Sequence, residues 1–171
     1  MKPFSAKPLC TAAMSMALVC ISTLFFKIPI PLGYAHLGNG FILAGCALTG
    51  GPYGILVGGV GSAMADLLGG YSQWILPTLL IKGLMGFTAG SLMLPKEKTF
   101  YLFSFRTFLG CGAGVIIMVA GYFLGGILLS GSLAAGIAQV PGLMGEGIIG
   151  ILLFYVMGGA FEKIHLRKYI Y

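Results

Sequence analysis

Long apolar blocks, each close to the thickness of a membrane and separated by short punctuation of glycine, proline and charge, organise this chain. They predict helices over about residues 9–26, 38–50, 52–69, 74–94, 107–129 and 140–161. The second block is short for a full crossing, so it is expected to be tilted, broken or partly continued by the segment before it. Pro52, Pro77 and Pro141 fall in or near predicted first turns, where a missing N–H matters least, and Pro95 closes the fourth helix. Pro29 and Pro31 are expected to keep the first loop extended.

Composition narrows the class. The 171 residues are 58% hydrophobic and only 8% charged, with a mean hydropathy of +1.00 and 29 glycines. Such a chain has too little polar surface to be a soluble domain. Its length allows about six crossings of roughly 20 residues with nothing over for a separate soluble unit. The expectation is therefore an all-α integral membrane protein, a six-transmembrane-helix bundle with short loops, forming one domain over 1–171. A net charge of +6 raises the question of nucleic acid. The basic residues form no single patch, so no nucleic-acid partner is expected. Lys2, Lys7, Lys96, Lys98, Arg106, Lys163, Arg167 and Lys168 fall on one predicted side against Lys27 on the other, which places both termini in the cytoplasm. The N-terminal apolar run is too long for a cleaved signal and is read as a retained helix.

Small residues four apart recur as Gly54/Gly58, Gly86/Gly90, Gly110/Gly114 and Gly121/Gly125, a spacing that lets helices approach closely in lipid. Ala13 and Ala17 repeat it in the first helix and form a candidate surface for a partner's helix. Cys10, Cys20, Cys46 and Cys111 lack CxxC spacing and read as small buried hydrophobes, so neither a metal site nor a disulfide is expected.

Three charges remain inside apolar blocks: Asp66, Lys82 and Glu146. Charge at depth is costly in lipid and is generally kept for function. At 1.5 Å per residue they lie roughly 5, 12 and 9 Å from the outer helix ends. An ion pair between Asp66 and Lys82 would offset part of that cost. Glu146, flanked by Gly145 and Gly147, is then left to meet a polar solute or a water cavity. Tyr34, His36, Asn39, Tyr71, Gln73, Trp74 and Gln139 lie in the outer segments and offer aromatic faces and hydrogen-bonding groups for a lid. An interfacial aromatic belt is the structural reading of the same tyrosine and tryptophan positions. No nucleophile elbow, zinc-hydrolase or phosphate-loop motif occurs, so no catalytic residue and no cofactor are expected, and any pumping needs a partner.

The stretches Gly33-Tyr34-Ala35-His36-Leu37-Gly38-Asn39, Gly58-Gly59-Val60-Gly61-Ser62-Ala63-Met64-Ala65-Asp66-Leu67-Leu68-Gly69-Gly70-Tyr71 and Ile81-Lys82-Gly83-Leu84 resemble the substrate-binding S components of energy-coupling factor (ECF) transporters. The likeness is to the riboflavin-type branch, which includes hydroxymethylpyrimidine and pyridoxine-type members. It implies a six-helix bundle in a bacterial cell membrane that captures a water-soluble vitamin or precursor from outside. Delivery would follow docking on a transmembrane T component driven by two ATPase subunits, with Ala13 and Ala17 as the docking face. Hydroxymethylpyrimidine or a pyridoxine-like ring is the expected ligand, with riboflavin next. Trp74 or Tyr34 would stack on it while Glu146 and Asn39 or Gln139 answer its polar groups. His36, Asp66 and Lys82 complete the expected substrate-binding set. A small oligomeric channel lined by Asp66, Lys82 and Glu146 is the competing reading from another class. An intramembrane enzyme using Glu146 and His36 is a third, without an activated nucleophile to support it.

Overall fold

A computed structural model describes residues 6–30, 33–94 and 100–163. Pro31, Pro95, Lys2, Lys96, Lys98, Arg167 and Lys168, used above for punctuation and orientation, lie outside the described residues. The chain begins with α1 (Ala6–Phe25) and a hairpin of β1 (Lys27–Ile30) and β2 (Gly33–His36). It continues through α2 (Gly38–Thr49), α3 (Gly51–Gly54), a π-helical turn (Ile55–Val60) and α4 (Gly61–Gly69). A 3-10 turn (Ser72–Trp74) then leads into α5 (Ile75–Met93), followed by α6 (Phe105–Ser130) and α7 (Leu133–Lys163). Because α3, the π turn and α4 are contiguous, the described residues form six helical bodies.

Four of these bodies are long and apolar enough to cross a membrane: Ala6–Phe25, Ser72–Met93, Phe105–Ser130 and Leu133–Ala160. Their outer faces carry rows such as Leu76, Leu80 and Leu84 on α5 and Ile148, Leu152 and Val156 on α7, all exposed at helical spacing. Apolar rows of this length belong against acyl chains. α2 is different. It is only 12 residues long and every position except Phe41 is buried, as it packs against α1, α5 and α7. A helix apolar on all sides is an internal element, which is why its block reads as too short for an ordinary span.

Several predicted boundaries need correction. The loop after α1 is an antiparallel hairpin that sets Lys27 opposite His36 and Pro29 opposite Tyr34, so the fold is not purely helical. Proline is tolerated in this two-stranded ribbon because its edges are unpaired. The third predicted helix is interrupted by the π turn Ile55–Val60. The last helix starts at Leu133 instead of 140, which leaves Pro141 inside it and not in its first turn. Proline there removes only the bond to the carbonyl of Ile137, and the apolar sequence on both sides carries the helix through.

The glycine pairs close the bundle. A Cβ on Gly54 would fall on the carbonyl of Gly86, and one on Gly86 would fall on the carbonyl of Gly54, so α3 and α5 touch backbone to backbone. Gly58 meets the carbonyl of Lys82 in the same way, and Gly110 faces Met93 and Ala89. Gly70, with φ of 81°, ends α4 in a left-handed conformation that lets Tyr71 N–H return to the carbonyl of Asp66 at 2.9 Å. That turn carries the chain into the segment holding Tyr71 and Trp74.

Candidate functional site

Lys82 on α5 and Glu146 on α7 meet in the bundle interior, with Nζ 3.1 Å from Oε1. Lys82 is 0% exposed and Glu146 3%, so the pair is fully withdrawn from solvent. Nζ also donates to Asn39 Oδ1 at 2.5 Å and to Met118 Sδ at 3.1 Å, and it lies 5.3 Å from the centre of the Tyr122 ring. An ammonium group has three donors, and all three have acceptors here. The Asn39 amide in turn donates to Met118 Sδ at 2.9 Å.

This arrangement corrects the pairing expected from sequence. Lys82 is neutralised by Glu146, and Glu146 is not a lone carboxylate. Lys82 lies about two turns into α5, whereas Asp66 is near the end of α4, beside the hairpin. There the Tyr34 hydroxyl donates to Asp66 Oδ1 at 2.7 Å. Gly147 is likewise used for packing, because a Cβ on it would strike Val115 of α6.

His36 ends β2 and is held in one tautomer. Its Nδ1 accepts the Gly38 N–H at 2.9 Å and faces Thr23 Oγ1 at 3.2 Å, so the proton sits on Nε2, 3.5 Å from Glu146 Oε1. Burial lowers its pKa from 6.5 to about 4, against a partial opposing pull from Glu146. His36 is therefore a neutral donor directed at the central pair.

A cavity of about 40 Å³ opens beside these groups, lined among others by Tyr34, His36, Asp66, Trp74, Gln139 and Glu146. Asn39 and Lys82 join it through Glu146 but do not line it. Trp74 is buried and its ring lies 5.5 Å from that of Tyr122, so it is a wall of the cavity and no interfacial belt residue. Gln139 is not in a loop: it lies on α7, buried, and donates to the Tyr122 carbonyl at 2.8 Å. A second cavity of about 340 Å³ shares His36 and Glu146 with the first and is otherwise lined mainly by apolar residues such as Phe25, Phe26, Ile28, Leu37 and Ile149. Ala13 and Ala17 are remote from both and exposed on α1.

Sequence reading missed Thr23, Ser62, Thr78 and Tyr122, which also line the inner cavity. Helical spacing carried the signal for two of them. Ser62 is four residues before Asp66 and Thr78 four before Lys82, so each shares a face with a charge. The hairpin that roofs the cavity is fixed by the Tyr34–Asp66 bond and by Tyr34–Tyr71 ring contact at 4.6 Å. Lys27 Nζ stands 4.5 Å from the Tyr34 ring centre and 5.1 Å from that of Tyr71.

A multi-pass membrane protein with a charged, neutralised interior and a small polar cavity under a hairpin belongs among solute-handling membrane proteins. The family model described as ECF-type riboflavin transporter, S component, matches residues 3–163, and the chain belongs to that family. It is thus a membrane substrate-binding subunit of vitamin uptake, of a kind that works with a T component and ATPase subunits. The family is one of transporter components and not of enzymes. The chain is also 35% identical over 147 residues to a protein of Pyrococcus woesei described as an uncharacterized protein in gap 3'region. That similarity spans 85% of this chain and 95% of the relative.

Proposed function

We propose that this S component captures a single-ring vitamin or precursor, hydroxymethylpyrimidine or a pyridoxine-like compound, beneath the β1–β2 hairpin. The observation that carries the reading is the convergence of Tyr34, His36, Asp66, Trp74, Gln139 and Glu146, from the hairpin and three helical segments, on one cavity. Trp74 and Tyr122 supply an aromatic wall for a planar ring. At about 40 Å³ the cavity has room for little more than water, whereas sites for small organic ligands run to roughly 300 Å³ or more. Loading therefore requires the hairpin to lift, breaking the Tyr34–Asp66 bond. A single ring demands much less widening than the three fused rings and side chain of riboflavin.

In this reading the bundle crosses the membrane six times with both termini in the cytoplasm, as the Lys and Arg distribution favours. The exposed Ala13–Ala17 face of α1 docks on the T component. Mass spectrometry of small molecules that co-purify with the chain is the direct test. A pyrimidine or pyridine vitamin supports the proposal. A flavin, visible as a yellow preparation, overturns the choice of ligand, and ion currents from the purified chain alone would favour a channel instead.

A further inference from the structure

Two buried polar side-chain atoms among the described residues have no hydrogen-bond partner, Asp66 Oδ2 and Ser62 Oγ. Asp66 is 5% exposed and Ser62 1%. They are four residues apart on α4, hence side by side on one helix face, and both line the inner cavity. Several other polar groups around this cavity are engaged. Lys82 has three acceptors, His36 Nδ1 accepts the Gly38 N–H, and Tyr122 donates to Thr78 Oγ1 at 3.0 Å. Gln139 donates to the Tyr122 carbonyl.

Charge is distributed in the same lopsided way. Lys82 and Glu146 cancel each other, and His36 is neutral. Among the described residues no cationic group stands within 4.0 Å of Asp66, whose hydrogen-bonding neighbours, the Tyr34 and Thr78 hydroxyls, are uncharged. The cavity thus holds one carboxylate outside any described ion pair, and two oxygens, Asp66 Oδ2 and Ser62 Oγ, without a hydrogen-bond partner. Leaving such groups unpaired in a buried site is costly, and a ligand that supplies the missing donor and charge removes that cost.

We infer that Asp66 and Ser62 form a donor-recognising subsite, and that the ligand presents a nitrogen donor there, an amino group or a protonated nitrogen. This rests on the vitamin-binding reading of the same cavity and adds to it the polarity of one end of the ligand. Asp66 accepts through Oδ2, and Ser62 Oγ accepts a second N–H. Trp74 and Tyr122 hold the plane of the ring. A ring carbonyl of the same shape brings an acceptor to Oδ2 and is rejected, while a hydroxymethyl group, which can donate its O–H but carries no charge, binds more weakly than an amine.

Trp74 is the chain's single tryptophan and lines the cavity, so its fluorescence reports on occupancy. The full chain in detergent is titrated with two matched pairs, pyridoxamine against pyridoxine, and 4-amino-5-hydroxymethyl-2-methylpyrimidine against its 4-oxo counterpart. Riboflavin serves as a further probe. The amino member is expected to bind at least about tenfold more tightly in at least one pair, the size of a hydrogen bond to a charged group. Asp66→Asn keeps Oδ1 for Tyr34 and replaces Oδ2 by an NH₂ donor, so it should reverse the order in favour of the oxygen-bearing member. Ser62→Ala, a milder change if Asp66→Asn fails to fold, should reduce the amino preference several-fold. Equal affinities, a preference for the oxygen member in the parent chain, or a preference unchanged in the variants would overturn the subsite. Riboflavin binding alone would overturn it and leave vitamin capture standing. Failure of all five probes would overturn vitamin capture and the subsite together.

Discussion

Removing one partner of the Lys82–Glu146 pair should cost far more than removing both. At 3.1 Å and an effective dielectric constant near 20, the direct attraction is about 5 kcal/mol. Against it stands the loss of hydration of both groups, which are 0% and 3% exposed. Lys82→Met leaves Glu146 with His36 alone, at 3.5 Å. Glu146→Gln keeps an acceptor oxygen near Nζ but strands the ammonium without a counter-charge. Each single variant should lose about 3–5 kcal/mol. At roughly 2–4 °C per kcal/mol for a chain of this length, that lowers the melting temperature by about 6–20 °C. Lys82→Met combined with Glu146→Gln leaves no uncompensated charge and should regain most of the loss, so the two changes are strongly non-additive. Trp74 fluorescence during heating in detergent provides the assay. Single variants that melt with the parent chain, or a double variant that loses the sum of both, would refute the claim that the pair is structural.

Gly86→Ala should cost about 1–3 kcal/mol because its Cβ meets the Gly54 carbonyl, while Gly112→Ala and Gly145→Ala, with nothing within 4 Å, should be neutral or slightly stabilising in the same melting assay. Lowering the pH from 6.5 towards 4 should weaken the fold by up to about 3 kcal/mol, since the unfolded His36 takes up a proton that the native one refuses. His36→Asn, whose side chain can still accept the Gly38 N–H, should flatten that slope, and an unchanged acid limb in the variant would assign it to other groups. Ala13→Leu and Ala17→Leu should leave ligand binding and melting unchanged while abolishing uptake by cells; normal uptake in both would remove α1 as the docking face.

Where the signal was local, the sequence disclosed it. Gly54 and Gly86 sit in small-residue spacings because their helices touch, and that requirement is printed at fixed intervals in each strand of sequence. Asp66, Lys82 and Glu146 stood out because charge is rare in apolar blocks. Which of them pair depends on helix rotation and relative depth, and neither is encoded within a single block. That is why the sequence suggests Asp66 as the partner of Lys82, and not Glu146, which lies 64 positions further along. The α7 start lies before the predicted one because Pro141 reads as a first-turn signal, whereas six apolar and small residues before Val140, from Leu133 to Ala138, are able to carry the helix. The hairpin escaped because Pro29 argues against a strand wherever the edge is assumed to be paired.

The distinction between the two kinds of buried charge has a consequence for how this site works. A cavity whose every charge is compensated has no electrostatic reason to exchange its contents, and a cavity full of uncompensated charge would not stay folded in a membrane. Here the deeper pair is complete, with Asn39, Met118 and His36 supporting it, so it fixes α2, α5, α6 and α7 around the cavity whether or not a ligand is present. Asp66 lies on the other wall and shares its hydrogen bond with the hairpin, through Tyr34. In the proposed loading step, lifting the hairpin would remove that donor at the moment a ligand gains entry, so the carboxylate's need for a partner would rise as the site opens. Closure over a donor-bearing ligand returns Tyr34 to Oδ1 and satisfies Oδ2 at once. In the proposed subsite, gating and recognition are coupled through a single side chain: Tyr34→Phe should make the hairpin easier to open while leaving the preference for amino ligands in place, a split that equal losses of entry rate and selectivity would exclude.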